Sequence, residues 1–161
     1  MDADDLARFL QAHTLDAEVL RLATPTPTVE RAAAALGTTP AHIVKTLLFL
    51  VDGRPVLAIA AGLQRIDARR IAAHFGVGRK RVRLADADTV QALTGYPIGA
   101  LPPFGHRRPL AALLDPGVLA LAPAYAGGGA RDAMLRVAPA DILRLSGAEL
   151  VELAGAPAAE V

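Results

Sequence analysis

The sequence predicts a mixed α/β fold of the α+β kind: one domain over residues 1–161, with a mixed, barrel-like sheet surrounded by helices. Three observations lead there. The 161 residues are 53% apolar and 20% charged at a net charge of +1, which supplies a core and argues against disorder. Helix-like and strand-like segments alternate irregularly, with hairpins as well as crossovers. The strongest local signal is a hairpin: a strand over Ile43–Val51, a turn at Asp52-Gly53 and a returning strand over Pro55–Ala61.

The elements follow in order. A first helix is expected from Asp4 to His13, with Leu6, Phe9 and Leu10 on one face. Ala17–Leu22 reads as a short strand. After the stiff Thr24–Thr28 loop, Thr28 can cap a helix that runs to Leu36 and stops at Gly37. Thr39-Pro40 has the chemistry of a cap and first helical residue. Beyond the hairpin, Asp67 caps a helix over Ala68–Phe75 ending at Gly76, and Arg79–Leu84 reads as a basic strand. Alternation there puts Arg79, Arg81 and Arg83 outward and Val82 and Leu84 inward. Asp86 opens a helix to Leu93. Tyr96–His106 has no period at all. Leu110–Leu114, Val118–Leu121 and Ala133–Val137 read as strands, Gly127–Gly129 as a glycine loop, and two short helices, Ala140–Leu145 and Ala148–Leu153, close the chain.

Composition excludes several chemistries. With no Cys there is no thiolate nucleophile, disulfide or cysteine metal site. Ser146, the only serine, lies between two helix-like segments, where a cap suffices. The histidines, His13, His42, His74 and His106, show no metal-ligand spacing, so neither a metal nor another cofactor is expected. No apolar run is long enough for a membrane helix, and the acidic start Met1-Asp-Ala-Asp-Asp5 is unlike a signal peptide. A cytoplasmic protein without membrane contact is expected.

Three places could carry chemistry. Lys45 shares a strand face with Ile43, Leu47, Phe49 and Val51, so its ammonium must snorkel, pair with an acid, or face a cavity that receives an anion. Gly99–His106 is the second: Gly99 and Gly105 flank Pro102-Pro103, and such a stiff loop can aim amide groups at one point or simply cover the surface. The third is the basic stretch Arg65, Arg69, Arg70, Arg79, Lys80, Arg81 and Arg83, either a solvated face or a surface for phosphates. Gly127-Gly-Gly-Ala-Arg131 matches no established phosphate loop.

In combination these segments resemble the YbaK/ProX family of aminoacyl-tRNA editing domains, associated with prolyl-tRNA synthetase. The resemblance runs through Thr28–Gly37, Ile43–Phe49 with the family's lysine at Lys45, Gly62–Asp67, Thr94–His106 with the family's G-x-x-x-P loop at Gly99–Pro103, Gly127-Gly128 and Pro139–Leu143, about residues 17–153. Departures from the cysteine-specific relatives fall at Leu22, Ala126 and Ala133 and favour action on alanine or another small residue.

The resemblance implies an ester hydrolase that deacylates mischarged tRNA, tRNA for proline the commonest, with prolyl-tRNA synthetase a possible partner. Lys45 and Gly99 are the expected catalytic positions, Lys45 holding phosphate or carbonyl oxygen and the loop amides stabilising an oxyanion. Thr28, Thr46, Ala100, Leu101, Pro102, Pro103, Gly105, His106, Gly127 and Gly128 are the expected substrate contacts, with Gly127 and Gly128 admitting the terminal adenosine. Arg69, Arg70, Arg79 and Arg81 are expected to meet tRNA. The alternative is a non-catalytic module that binds tRNA or a synthetase.

Overall fold

The computed structural model describes residues 1–157. In chain order the elements are α1 (Ala3–Ala12), β1 (Glu18–Arg21), α2 (Val29–Leu36), β2 (Val44–Val51), β3 (Arg54–Ala61), β4 (Gln64–Ile66), α3 (Ala68–Phe75), β5 (Val82–Leu84), α4 (Ala87–Thr94), β6 (Ala111–Leu114), β7 (Ala124–Gly127), β8 (Ala133–Val137), α5 (Pro139–Ser146), β9 (Glu149–Leu150) and β10 (Ala154–Pro157).

Local chemistry sets the boundaries. Asp2 and Asp5 form a capping box on α1, and the Thr28, Asp67 and Asp86 side chains accept backbone N–H groups at the starts of α2, α3 and α4. Asp52 and Gly53, at φ 50° and 80°, make the tight turn between β2 and β3.

β2 and β3 are the antiparallel centre of a five-stranded sheet ordered β5-β2-β3-β6-β9, in which β6 runs parallel to β3 and β9 parallel to β6. Both faces are covered. Leu48, Leu57, Ile59 and Leu114 pack with Tyr96, Phe104 and Leu135, while Phe49, Val51, Ala58 and Leu113 pack with Ile71 of α3. Residues one apart along β2 thus serve opposite cores. A second sheet, β1-β8-β7, is wholly antiparallel, and β10 pairs with β4 as a third. The Asp115 carboxylate accepts Leu153 N–H at 2.8 Å and Ala154 N–H at 2.9 Å, which docks the approach to β10.

The single mixed α/β domain is present, but the barrel is not. Among the described residues the sheets stay separate: the first two meet through a single parallel bridge between Ile43 and Tyr125. Three local readings also change. Arg79–Arg81 is a 3-10 turn closed by Arg81 N–H on the Gly78 carbonyl, so only Val82–Leu84 remains strand, and Leu84 is 55% exposed instead of buried. Three consecutive cations offered no apolar alternation to hold a longer strand. Val118–Leu121 lies mostly in the 3-10 turn Pro116–Ala120, because Asp115 caps it through Gly117 N–H and Pro116 presets its first residue. Finally, Ala148–Leu153 is not a helix: Gly147 ends α5 in the left-handed region, and β9 joins the edge of β6.

Candidate functional site

A cleft of about 190 Å³ opens along β2. It exists because β2 has different neighbours at its two ends. Phe49–Val51 pair with β5, Ile43 bridges to β7, and no strand lies between them on that side. The cleft is walled by Lys45, Thr46 and Leu47 from β2, Thr28 and Ala32 from the start of α2, Gly99 and Leu101 from the Tyr96–His106 loop, and Gly127 and Met134 from the second sheet. Four stretches of the chain are brought together here.

Lys45 is half-buried. Its Nζ donates to the Gln64 carbonyl, and among the described residues no carboxylate lies within ion-pair distance. An ammonium has three N–H donors, so this contact leaves two to offer. Burial, and secondarily the Arg65 charge, hold its pKa below the ordinary lysine range. Of the three fates open to this residue, the structure selects a cavity position over pairing with an acid. Beside it, Thr46 is 9% exposed and its Oγ1 has no hydrogen-bond partner, a deficit costing about 1–3 kcal/mol unless something in the cleft satisfies it.

The Pro/Gly loop is no loose surface segment: Ala100, Leu101, Pro102, Pro103 and Phe104 are buried. Ala100 N–H is committed to the Pro97 carbonyl, and Pro102 and Pro103 have no N–H to give. Among the described residues the Gly99 and Leu101 N–H groups have no protein acceptor, and both residues wall the cleft. Gly99 sits at φ 82°, with open space where a side chain would be.

At Gly127 the close approach comes from within the chain: a Cβ there would stand 2.4 Å from the Leu101 carbonyl oxygen. A Cβ on Gly128 would meet the Ala133 backbone at 2.5 Å, and Gly128 does not wall the cleft. Gly127 lets the loop nest against β7, while Gly128 lets the chain leaving β7 pass close to β8. Pro102, Pro103, Gly105 and His106 also lie behind the cleft wall. His106 is the loop's latch, its Nε2 at 2.7 Å from the Pro102 carbonyl, with Tyr96 edge-on to its ring. Burial lowers its pKa, against the opposing effect of that hydrogen bond, so the ring is neutral near pH 7 with Nε2–H as donor. Thr28 reaches the cleft, but its hydroxyl is engaged as the α2 cap. Ala126 and Ala133 are buried away from the cleft, whereas Leu22 packs behind its Ile43 and Met134 wall.

A second, larger cleft of about 650 Å³ adjoins the first, and the two share Lys45, Leu47 and Leu84 as a common wall. Arg65, Arg69, Arg79 and Arg83 line it. Arg65 and Arg83 belong to the basic stretch but not to the expected tRNA contacts, and nothing in the sequence marks Met134 or the Gln64 carbonyl as part of the site. A carbonyl leaves no mark on residue type, and Met134 reads as ordinary core.

The sequence profile of the aminoacyl-tRNA editing domain matches residues 23–145. The chain belongs to that family. The editing domain is 37% identical over 84 residues to the proline–tRNA ligase of Nitratidesulfovibrio vulgaris strain DP4, a match covering 50% of this chain and 14% of the ligase. Similarity to the uncharacterised protein YwhH of Bacillus subtilis is 28% over 130 residues, 80% of this chain and 81% of that one. A solved structure described provisionally as a trans-editing enzyme for prolyl tRNA synthetase superposes with a TM-score of 0.85 at 32% identity, over 95% of this chain and 96% of the other. Among the described residues of the editing domain, no helix is long and apolar enough to cross a membrane and no three His, Asp or Glu side chains gather as a metal site.

Proposed function

We propose that the editing domain is a free-acting deacylase that hydrolyses the ester between a small wrong amino acid, such as alanine or cysteine, and tRNA for proline, as a companion to prolyl-tRNA synthetase. The observation that carries this reading is the Lys45 ammonium, held by one backbone carbonyl with no acid among the described residues to neutralise it, in the cleft that Gly99 and Leu101 wall with uncommitted amides. The similarity to proline–tRNA ligases supports the choice of tRNA.

An activated ester needs no protein nucleophile; it needs a positioned attacking oxygen and a stabilised oxyanion. In this reading Lys45 holds a phosphate or the ester carbonyl oxygen at the tRNA terminus, and the loop amides receive the negative charge that develops on the ester carbonyl oxygen. A water, or one oriented by the neighbouring ribose hydroxyl, attacks the carbonyl carbon; the ester C–O bond then breaks, and the ribose oxygen leaves with a proton. Ala32, Ile43 and Met134 limit the room for the side chain of the amino acid. Of the expected set, Arg79 alone forms no ion pair among the described residues and remains the tRNA contact of choice, since Arg69 is engaged by Asp67 at 3.2 Å. Arg70 and Arg81 are each engaged by an acid, Glu152 at 3.4 Å and Asp52 at 2.7 Å.

The test is release of amino acid from tRNAs charged with alanine, cysteine, serine, threonine and proline. The expected result is hydrolysis well above the spontaneous rate for one small mischarged residue and none for proline. Tight tRNA binding with no hydrolysis of any of them would instead make the domain a binding module.

A further inference from the structure

Resting on the reading of the first cleft as the ester site, we propose that the adjoining basic cleft binds the phosphodiester backbone of the nucleotides just before the aminoacylated one, taken up as a single unpaired strand. Four arginines from four separate segments converge there: Arg65 on β4, Arg69 in the first turn of α3, Arg79 in the 3-10 turn and Arg83 on β5. So many like charges on one concavity repel each other unless an anion lies between them. The one acid in the wall, Asp67, is already occupied, accepting Arg69 N–H at 2.9 Å and the Arg69 side chain at 3.2 Å. Arg79 is braced on the Val82 carbonyl at 2.9 Å. Arg65 and Arg83, both exposed, form no ion pair among the described residues.

The common wall makes the direction of travel clear. An ester seated in the smaller cleft is the end of a chain, so the next residues of that chain must pass Lys45, Leu47 and Leu84 to leave it. Leu84 is 55% exposed and Leu47 half-buried, an apolar sill on which a base face can rest once it is unpaired. Beyond the sill lie the arginines, where the phosphates would follow. The sill suits a single strand, because only an unpaired base has a face free to rest on Leu47 and Leu84. The Arg65 charge is also felt by Lys45, whose pKa it lowers after burial has done so.

The experiment measures binding of an uncharged, fluorescently labelled single-stranded RNA ending in CCA, by anisotropy across a salt series. Arg65→Gln/Arg83→Gln should weaken binding at least tenfold at low salt. It should also flatten the dependence of log K on log salt by about 1.4, two contacts at about 0.7 each for single strands. Arg65→Lys/Arg83→Lys should keep most of that slope, and Arg8→Gln/Arg144→Gln, exposed arginines paired on α1 and α5, should change nothing. The same sequence in a duplex, and poly-glutamate as a protein-like polyanion, should compete poorly. Unchanged binding in the folded Gln variant, equal loss in the Arg8/Arg144 variant, or equal competition by duplex or poly-glutamate would each overturn the proposal. Hydrolysis is read separately. RNA binding that depends on Arg65 and Arg83 without deacylation of any charged tRNA sinks the ester-site reading alone, while deacylation with binding indifferent to both arginines sinks the groove alone.

Discussion

The β2–β3 hairpin and the Tyr96–His106 loop face one another across the same cleft, yet they are held in shape by different means. In the hairpin, Val44–Val51 pair residue for residue with Ala61–Arg54, and the ladder fixes where Lys45 sits whatever its neighbours are. The loop has no ladder. Its shape comes from contacts at single atoms: Gly127 yielding room to Leu101, Gly129 N–H on the Ala100 carbonyl at 2.9 Å, and His106 on the Pro102 carbonyl. At Lys45, which lies outside both cores, the hairpin should therefore tolerate a change of side chain and show it only in chemistry, whereas the loop should register small changes in geometry.

The sharpest break in that comparison is Lys45→Ala. Because the ladder is backbone, the fold should survive, and removing a charge disfavoured by burial should not lower the melting temperature. Deacylation should fall about 10²–10³-fold if the ammonium is a preorganised contact, with Lys45→Arg rescuing poorly. The lowered pKa adds a pH signature: the enzymatic excess over spontaneous hydrolysis should decline on the alkaline side before the ordinary lysine range near pH 10.4. Near-normal turnover in a soluble Lys45→Ala protein would remove Lys45 from the mechanism.

Next in size is Gly127→Ala. The 2.4 Å approach to the Leu101 oxygen cannot persist, so the loop must shift; a cost of about 1–3 kcal/mol in urea unfolding is expected, together with lost activity. A silent Gly127→Ala would mean that the loop is not held by this contact.

Gly99→Val separates strain from space. At φ 82° a side chain costs about 1–2 kcal/mol, but its Cβ meets no atom within 4 Å, so the fold absorbs the strain while the added bulk stands at the cleft wall. Turnover should drop more than the melting temperature does. Equal proportional losses would make Gly99 a folding residue only.

The smallest effect is expected at His106. Its pKa is lowered in the fold, so the folded protein prefers the neutral ring; that stability is complete above the unfolded value of about 6.5 and is lost as pH falls through the folded value. His106→Gln should be less stable at pH 7.5 and show a flatter loss on acidification. Parallel melting curves against pH would dismiss the latch.

These two regions also differ in how much of them could be read beforehand. The hairpin, its Asp52-Gly53 turn and the capped helices α2 and α3 were legible because each is decided by residues within a few positions. Lys45 stood out for the same reason, a charge out of step with its strand. The family pattern located the loop but not its burial, since Pro102 and Pro103 look like surface residues until Gly127 and His106 are placed behind them. Strands β4, β9 and β10 are two to four residues long and exist by virtue of remote partners, so no local period announces them. For the same reason the barrel-like sheet does not follow from the sequence: whether sheets join depends on edges such as Ile43 and Tyr125, a single bridge that sequence spacing does not reveal.

The pairing of β10 with β4 carries a practical lesson for anyone trimming or fusing this chain. β4 supplies both the Gln64 carbonyl on which Lys45 rests and the Arg65 side chain at the mouth of the basic cleft. Its partner strand approaches from a segment pinned by Asp115. The backbone that steadies the lysine is thus itself steadied from the far end of the described chain. An expression variant shortened to the profile-matched residues 23–145 would keep every side chain of the ester cleft and still discard the brace behind its ammonium.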